Sequence, residues 1–143
     1  MLKQKEVPMT QNAKEFKMPV RIYYEDTDTG GIVYHANYLR YAERCRSEWL
    51  RSVGVESSKL AEEKGTFFVV KSCSINYHAP AKLDDKLIVT NEVEKIGGAS
   101  ISLKQGVYKE NQLYVSMDVV IVLVDGNKKP VRIDPELKAQ LLS

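Results

Sequence analysis

Residues 37–54 read NYLRYAERCRSEWLRSVG, and their spacing sets the fold. Tyr38, Ala42, Cys45, Trp49 and Val53 recur every three or four positions, which predicts one long helix ending at Gly54. Arg40, Glu43, Arg44, Arg46, Glu48 and Arg51 occupy the opposite face. Glu43 lies three residues from Arg40, and Arg44 four from Glu48, so ordinary ion pairing on a helix surface accounts for them. Asn37 is the expected N-cap, because its side chain can accept from a first-turn N–H.

Downstream the period becomes two. Cys73, Ile75 and Tyr77 alternate with Ser72, Ser74 and Asn76, and Ile101, Leu103 and Val107 with Ser102, Lys104 and Tyr108. Turn signals at Ala79-Pro80, Gly97-Gly98, Glu110-Asn111 and Asp125-Gly126-Asn127 divide Phe67–Asp125 into four long antiparallel strands. Residues 113–124 are apolar at every odd position and then at even positions too, through Val120, Val122 and Val124, which predicts a strand end buried on both faces. Upstream, PVRIYY (residues 19–24) is a short β-branched and aromatic strand, followed by the acidic glycine loop EDTDTGG (residues 25–31). Asp134–Leu142 is a short terminal helix with Pro135 in its first turn. The order is strand, loop, one helix, four strands: an α+β layer in which a curved antiparallel sheet of about five strands wraps a single helix. A helix about 25 Å long cannot cover both faces of such a sheet. The rest of its apolar surface, expected at Val119–Val124, calls for a second copy.

With 143 residues, 43% hydrophobic and 28% charged, the chain has enough material for one core. Residues 1–17, rich in Lys, Gln, Asn and Glu, read as a flexible N-terminal arm, and 18–143 as one domain. Twenty-one Lys and Arg against 19 Asp and Glu leave a net charge of +2, which gives no electrostatic case for nucleic acid. The longest apolar run, Val119–Val124, is too short for a membrane span. Met1–Lys17 lacks an apolar h-region, and Cys45 and Cys73 form neither a CxxC nor a disulfide framework. Reduced thiols and no export signal make the cytoplasm the expected compartment.

Two histidines, His35 and His78, are too few for an imidazole metal site, and no phosphate-loop or GxSxG motif is present. One dense segment remains. YYEDTDTGGIVYHANYLRYAERCRSE (residues 23–48) puts Glu25, Asp26 and Asp28 in a glycine loop and His35 at a helix start. A carboxylate facing a helix N-terminus suits acyl-group hydrolysis: free first-turn N–H groups stabilise an oxyanion while the carboxylate attacks or deprotonates water. Asp28 is the acid nearest the glycines and the helix. A merely solvated turn stays open on spacing alone.

That segment, with YHAPAKLDD (residues 77–85), resembles the YbgC-type acyl-CoA thioesterases within the 4-hydroxybenzoyl-CoA thioesterase branch of the hotdog fold. The similarity covers residues 19–132. It implies a hotdog fold, a homodimer or dimer of dimers, and hydrolysis of an acyl-CoA without cofactor. It implies that Asp28 is the catalytic carboxylate, that Tyr24 and His35 line the same pocket, and that backbone N–H groups near Gly31 and His35 hold the thioester oxygen. Tyr24 is expected as a pocket wall rather than an acid, and Asp26 as a loop-bonding residue. Links to an acyl carrier protein and a Tol-Pal-associated operon belong to the same resemblance. Two features depart from it. His78 falls where relatives tend to have an aromatic residue. The Gly97–Ser100 turn lacks the basic cluster with which the hydroxybenzoyl-CoA branch grips CoA phosphates, so salt-tolerant binding and an aliphatic acyl group are expected. The alternatives are a non-catalytic acyl-CoA or acyl-carrier binding module, which has no need of Asp28, and a hydroxyacyl dehydratase, for which Glu43 would have to serve as the acid.

Overall fold

A computed structural model describes residues 14–143, so most of the expected arm lies outside the described residues. Strand β1 spans Phe16–Arg21, two residues ahead of the expected start at Met18, and Ile22 continues into the core. The predicted strand at 19–24 is therefore displaced, because Tyr24–Asp26 closes into a 3-10 turn. Helix α1 (Asn37–Ser52), helix α2 (Ser57–Lys64), and strands β2 (Phe67–Tyr77), β3 (Lys86–Ile96), β4 (Ser100–Lys109) and β5 (Gln112–Val124) follow, with helix α3 (Pro135–Leu141) last. All strand pairs are antiparallel, in the order β1-β3-β4-β5-β2. Bulges at Val70/Ser72, Val93/Lys95 and Val107/Tyr108 bend the sheet around α1. This is the hotdog arrangement.

Helix α1 lays Tyr38, Tyr41, Ala42, Cys45, Trp49 and Leu50 onto β1, β3 and β4. Opposite them stand Leu87 and Val89 of β3, Ile101, Leu103 and Val107 of β4, and Val115, Met117, Val119 and Ile121 of β5, all buried. Those of β4 and β5 fall at the odd positions read from the sequence, whereas Cys73 and Tyr77 of β2, read in the same way, are exposed. Position 105 breaks that apolar series for a reason. Buried Gln105 accepts from Arg46 Nη1 at 2.9 Å and donates to Ala42 O at 3.0 Å, pinning the helix to the sheet. Burial pulls the Arg46 guanidinium down from its ordinary value. Helix α1 stops where Gly54 takes φ +85°, and α2 where Gly65 takes φ +61°. The sequence reading had no counterpart for α2, whose only partly buried apolar residue against the core is Leu60. In α3, Asp134 Oδ1 caps the Leu137 N–H at 2.8 Å.

The uncovered apolar face is not where the alternation put it. Strand β5 lies between β4 and β2, and Val119, Ile121, Val122, Leu123 and Val124 are all buried. After β5 the chain turns back, and Val131 N–H donates to Leu123 O at 2.8 Å, which covers the strand end. Among the strands, the open large apolar side chains are those of the edge strand β2, with Phe67, Val69, Val70 and Tyr77 exposed at 43%, 42%, 50% and 49%. Among the described residues no helix is long and apolar enough to cross a membrane.

Gly106 is held by its cross-strand partner Thr90, whose Oγ1 accepts from Gly106 N at 3.0 Å. A Cβ there would stand 2.8 Å from Tyr108 Cε1 and 3.2 Å from Thr90 Oγ1. Gly106→Ala is expected to cost about 1–3 kcal/mol through overpacking. A thermal melt checks this, and an unchanged midpoint would contradict the crowding.

Candidate active site

The acidic loop is an ordered, largely exposed hairpin. Thr27 and Val33 pair as a bridge, Asp28 N–H donates to Ile32 O at 2.9 Å, and Gly31 N–H donates to Asp28 O at 3.0 Å. Gly31 takes φ +78°, a conformation a Cβ disfavours, which explains a glycine at that corner. The hairpin is clamped to the start of α1 through one carbonyl: Asp26 O accepts from Tyr34 N at 2.9 Å and from Asn37 Nδ2 at 3.0 Å. Asn37 is therefore not the N-cap. Ala36 occupies that position, and Asn37 directs its side chain to the loop and to Arg40 Nη1 at 3.1 Å. Asp26 Oδ2 accepts from Tyr23 N at 2.8 Å, so its carboxylate is structural as well.

Asp28 is exposed, with Oδ1 accepting from Gly30 N at 2.8 Å. One carboxylate oxygen orients the group and Oδ2 has no partner among the described residues. At the helix entry, the N–H groups of His35 and Ala36 donate to no acceptor among the described residues, whereas Gly31 N–H is committed to Asp28 O. Of the two donors implied by the resemblance, His35 is open and Gly31 is engaged.

Beside the helix start lies a cleft of about 270 Å³ between Ile32, Val33, His35 and Tyr38 on one side and Tyr77–Pro80 on the other. Its aromatic wall is tightly knit. The His35 ring lies 4.6 Å from Tyr34 and 6.4 Å, edge-on, from Tyr77, while Tyr38 lies 5.8 Å from Tyr77. Tyr38 Oη accepts from Ala81 N at 3.1 Å, and Val33 N–H donates to Ala81 O at 2.9 Å, which ties the post-β2 loop to the helix entry. Burial raises the Tyr38 phenol above its ordinary value. Tyr41 is raised as well, by burial first and then by Asp26. Tyr38 and Ala81 were not singled out from the sequence as site residues. Their contact joins positions 43 residues apart, and only the pairing of the loops brings it about.

Of the three expected side chains, His35 lines this cleft. Asp28 stands on the neighbouring hairpin outside its lining, and Tyr24 is 81% exposed and outside it too. Cys45 is no nucleophile: burial pushes its thiol up to about 12, and Sγ lies 3.5 Å from Val89 O. Glu43 is exposed on the outer face of α1. Among the described residues no three His, Cys, Asp or Glu side chains gather as metal ligands.

Residues 22–141 match the family model described as the thioesterase-like superfamily, the class to which this fold and site point. The chain is 45% identical over 125 residues to the acyl-CoA thioesterase YbgC of Haemophilus influenzae, covering 87% of this chain and 92% of that one. It is 40% identical over 126 residues to the acyl-CoA thioester hydrolase YbgC of Escherichia coli O6:H1, covering 87% and 93%. Among solved structures, a probable thioesterase from Bartonella henselae superposes with a TM-score of 0.79 at 34% identity, covering 84% of this chain and 99% of that one. The chain belongs to the YbgC acyl-CoA thioesterase family.

Proposed function

We propose that this chain is a cytoplasmic, homo-oligomeric acyl-CoA thioester hydrolase in which Asp28 and the entry of α1 carry the reaction. The supporting observation is the clamp from Asp26 O to Tyr34 N and Asn37 Nδ2, which ties the Asp28 hairpin to the helix entry that carries the open N–H groups of His35 and Ala36. The thioester carbonyl sits between them. Asp28 Oδ2 either attacks the carbonyl carbon, giving a mixed anhydride that water then hydrolyses, or takes a proton from a water that attacks in its place. In both routes charge moves to the carbonyl oxygen, the helix-entry N–H groups stabilise it, and CoA leaves as the thiolate. His35 and Tyr77 form the apolar wall against the acyl group or the pantetheine.

The exposed edge of β2 pairs with the same strand of a second copy, joining the two sheets and setting the active sites at the subunit boundary. A binding module has no use for an oriented, half-free carboxylate beside unpaired amide donors. The dehydratase alternative loses its acid, because Glu43 is exposed on the outer face of α1 and is not part of the cleft lining.

The test is release of free thiol from butyryl-, decanoyl- and 4-hydroxybenzoyl-CoA, with an acyl carrier protein thioester as a further donor. Turnover of the aliphatic thioesters is the expected result. No turnover of any thioester would remove the hydrolase reading, and a preference for 4-hydroxybenzoyl-CoA would overturn the aliphatic assignment.

A further inference from the structure

Tyr77 Oη stands 3.4 Å from the backbone carbonyl of His35, a contact between residues 42 positions apart. That carbonyl lies at the entry of α1 and receives no backbone N–H among the described residues, because the Leu39 N–H goes to Ala36 O at 3.2 Å. Tyr34 O, one residue earlier, is held by the Asn37 N–H at 2.9 Å. The open N–H groups of His35 and Ala36 belong to the peptide units that carry Tyr34 O and His35 O. The first unit is therefore fixed by the backbone of the helix entry, and the second by a phenol from the sheet.

A peptide unit is planar, and resonance joins its C=O and N–H into one dipole. A hydrogen bond received at His35 O draws electron density onto that oxygen and leaves the Ala36 N–H a stronger donor. It also fixes the plane along which this N–H is aimed. The phenol is itself held by the sheet and by its aromatic neighbours. Tyr77 ends β2, paired with Val115, and the N–H groups of His78 and Ala79 both donate to Tyr114 O, at 2.8 and 3.2 Å. Its ring meets His35 edge-on at 6.4 Å and Tyr38 at 5.8 Å. The segment that follows grips the other half of the site: the Val33 N–H donates to Ala81 O at 2.9 Å and the Leu83 N–H to Gly31 O at 3.3 Å. One stretch, residues 77–83, carries both the donor to the helix-entry peptide and the ties to the Asp28 hairpin.

We propose that the Tyr77 hydroxyl is a positioning group for thioester hydrolysis: by donating to His35 O it aims and polarises the Ala36 N–H that receives the thioester oxygen. This assignment rests on the hydrolase reading. The hydroxyl neither touches the reacting atoms nor transfers a proton. Its influence grows as charge moves onto the thioester oxygen, so it acts on kcat and leaves substrate binding alone.

The test is Tyr77→Phe, which keeps the ring and its aromatic contacts and removes the donor. A whole oxyanion donor is typically worth about 10²–10³ in kcat, and one hydrogen bond strengthens the next by roughly 10–30%. On that basis kcat for acyl-CoA is expected to fall about two- to eightfold, with KM unchanged. Tyr108→Phe, the same change on β4 and outside the cleft lining, is expected to move neither value. The second readout is the infrared band of an isotope-labelled thioester carbonyl bound to Asp28→Asn, whose slowed turnover keeps the substrate whole. The shift of that band to lower frequency reports the pull of the N–H groups on the oxygen, and it is expected to be smaller in Asp28→Asn/Tyr77→Phe. A role confined to packing leaves the band in place. An unchanged kcat in Tyr77→Phe, a loss that appears in KM instead, or an unmoved carbonyl band overturns the assignment. A thermal melt and light scattering are expected to match wild type, and a kcat loss accounted for by lost assembly also overturns it. A wild-type chain inactive on every thioester fails the hydrolase reading itself, whereas an active wild type with an indifferent Tyr77→Phe fails this assignment alone.

Discussion

Asp28→Asn is expected to lower kcat for acyl-CoA hydrolysis by about 10²–10⁴-fold while the protein stays folded, the loss typical of removing a positioned base or nucleophile. The hairpin survives because the Asn Oδ1 can keep the bond from Gly30 N. What disappears is the charge on the second oxygen, the atom free to attack carbon or accept a proton. Initial rates of thiol release, with a thermal melt to confirm folding, make the measurement. Turnover within a few-fold of wild type in a folded Asp28→Asn protein would remove Asp28 from the chemistry. A matching loss is not expected at Asp26, whose carboxylate is engaged by Tyr23 N and whose carbonyl holds the loop to the helix. Its replacement acts through stability.

Val69→Lys combined with Val70→Glu is expected to convert an active dimer into an inactive monomer. These neighbours point to opposite faces of β2, so the pair charges both sides of the exposed edge, the device by which edge strands avoid pairing. Burying the exposed parts of Phe67, Val69, Val70 and Tyr77 in two copies contributes on the order of 15 kcal/mol before the cost of association. Light scattering at micromolar concentration, run beside the thiol assay, reads both outcomes. A monomeric wild type would contradict the edge pairing, as would a double variant that stays dimeric. Full activity in a monomeric variant would show that each chain carries a complete site.

Strands β5 and β2 show where a linear reading stops. Residues 113–124 alternate so regularly that they look like a strand in need of a partner on both faces. In the folded chain β5 is an inner strand whose edges pair with β4 and β2, and its end, met by the returning segment at Val131, is buried without a second copy. Strand β2 has a mixed polar and apolar pattern that looks self-sufficient, yet it lies at the sheet edge with Phe67, Val69 and Val70 exposed. Strand order decides exposure, and no local pattern encodes strand order.

Periodicity determined the long helix, the four later strands and the odd-numbered inner faces of β4 and β5, because burial against one layer leaves a repeat of 3.6 or 2 in the chain. The glycine corner at Gly31 was likewise local, since φ +78° is a property of a single residue. Which atoms of the loop remain free was settled only in three dimensions. Asp28 Oδ1 and Gly31 N–H bond within the hairpin, and Asn37 turns from cap to clamp because Asp26 O lies within its reach. Side-chain identity and spacing are written along the chain, but the competition of each polar group for its partner is resolved only when distant segments meet.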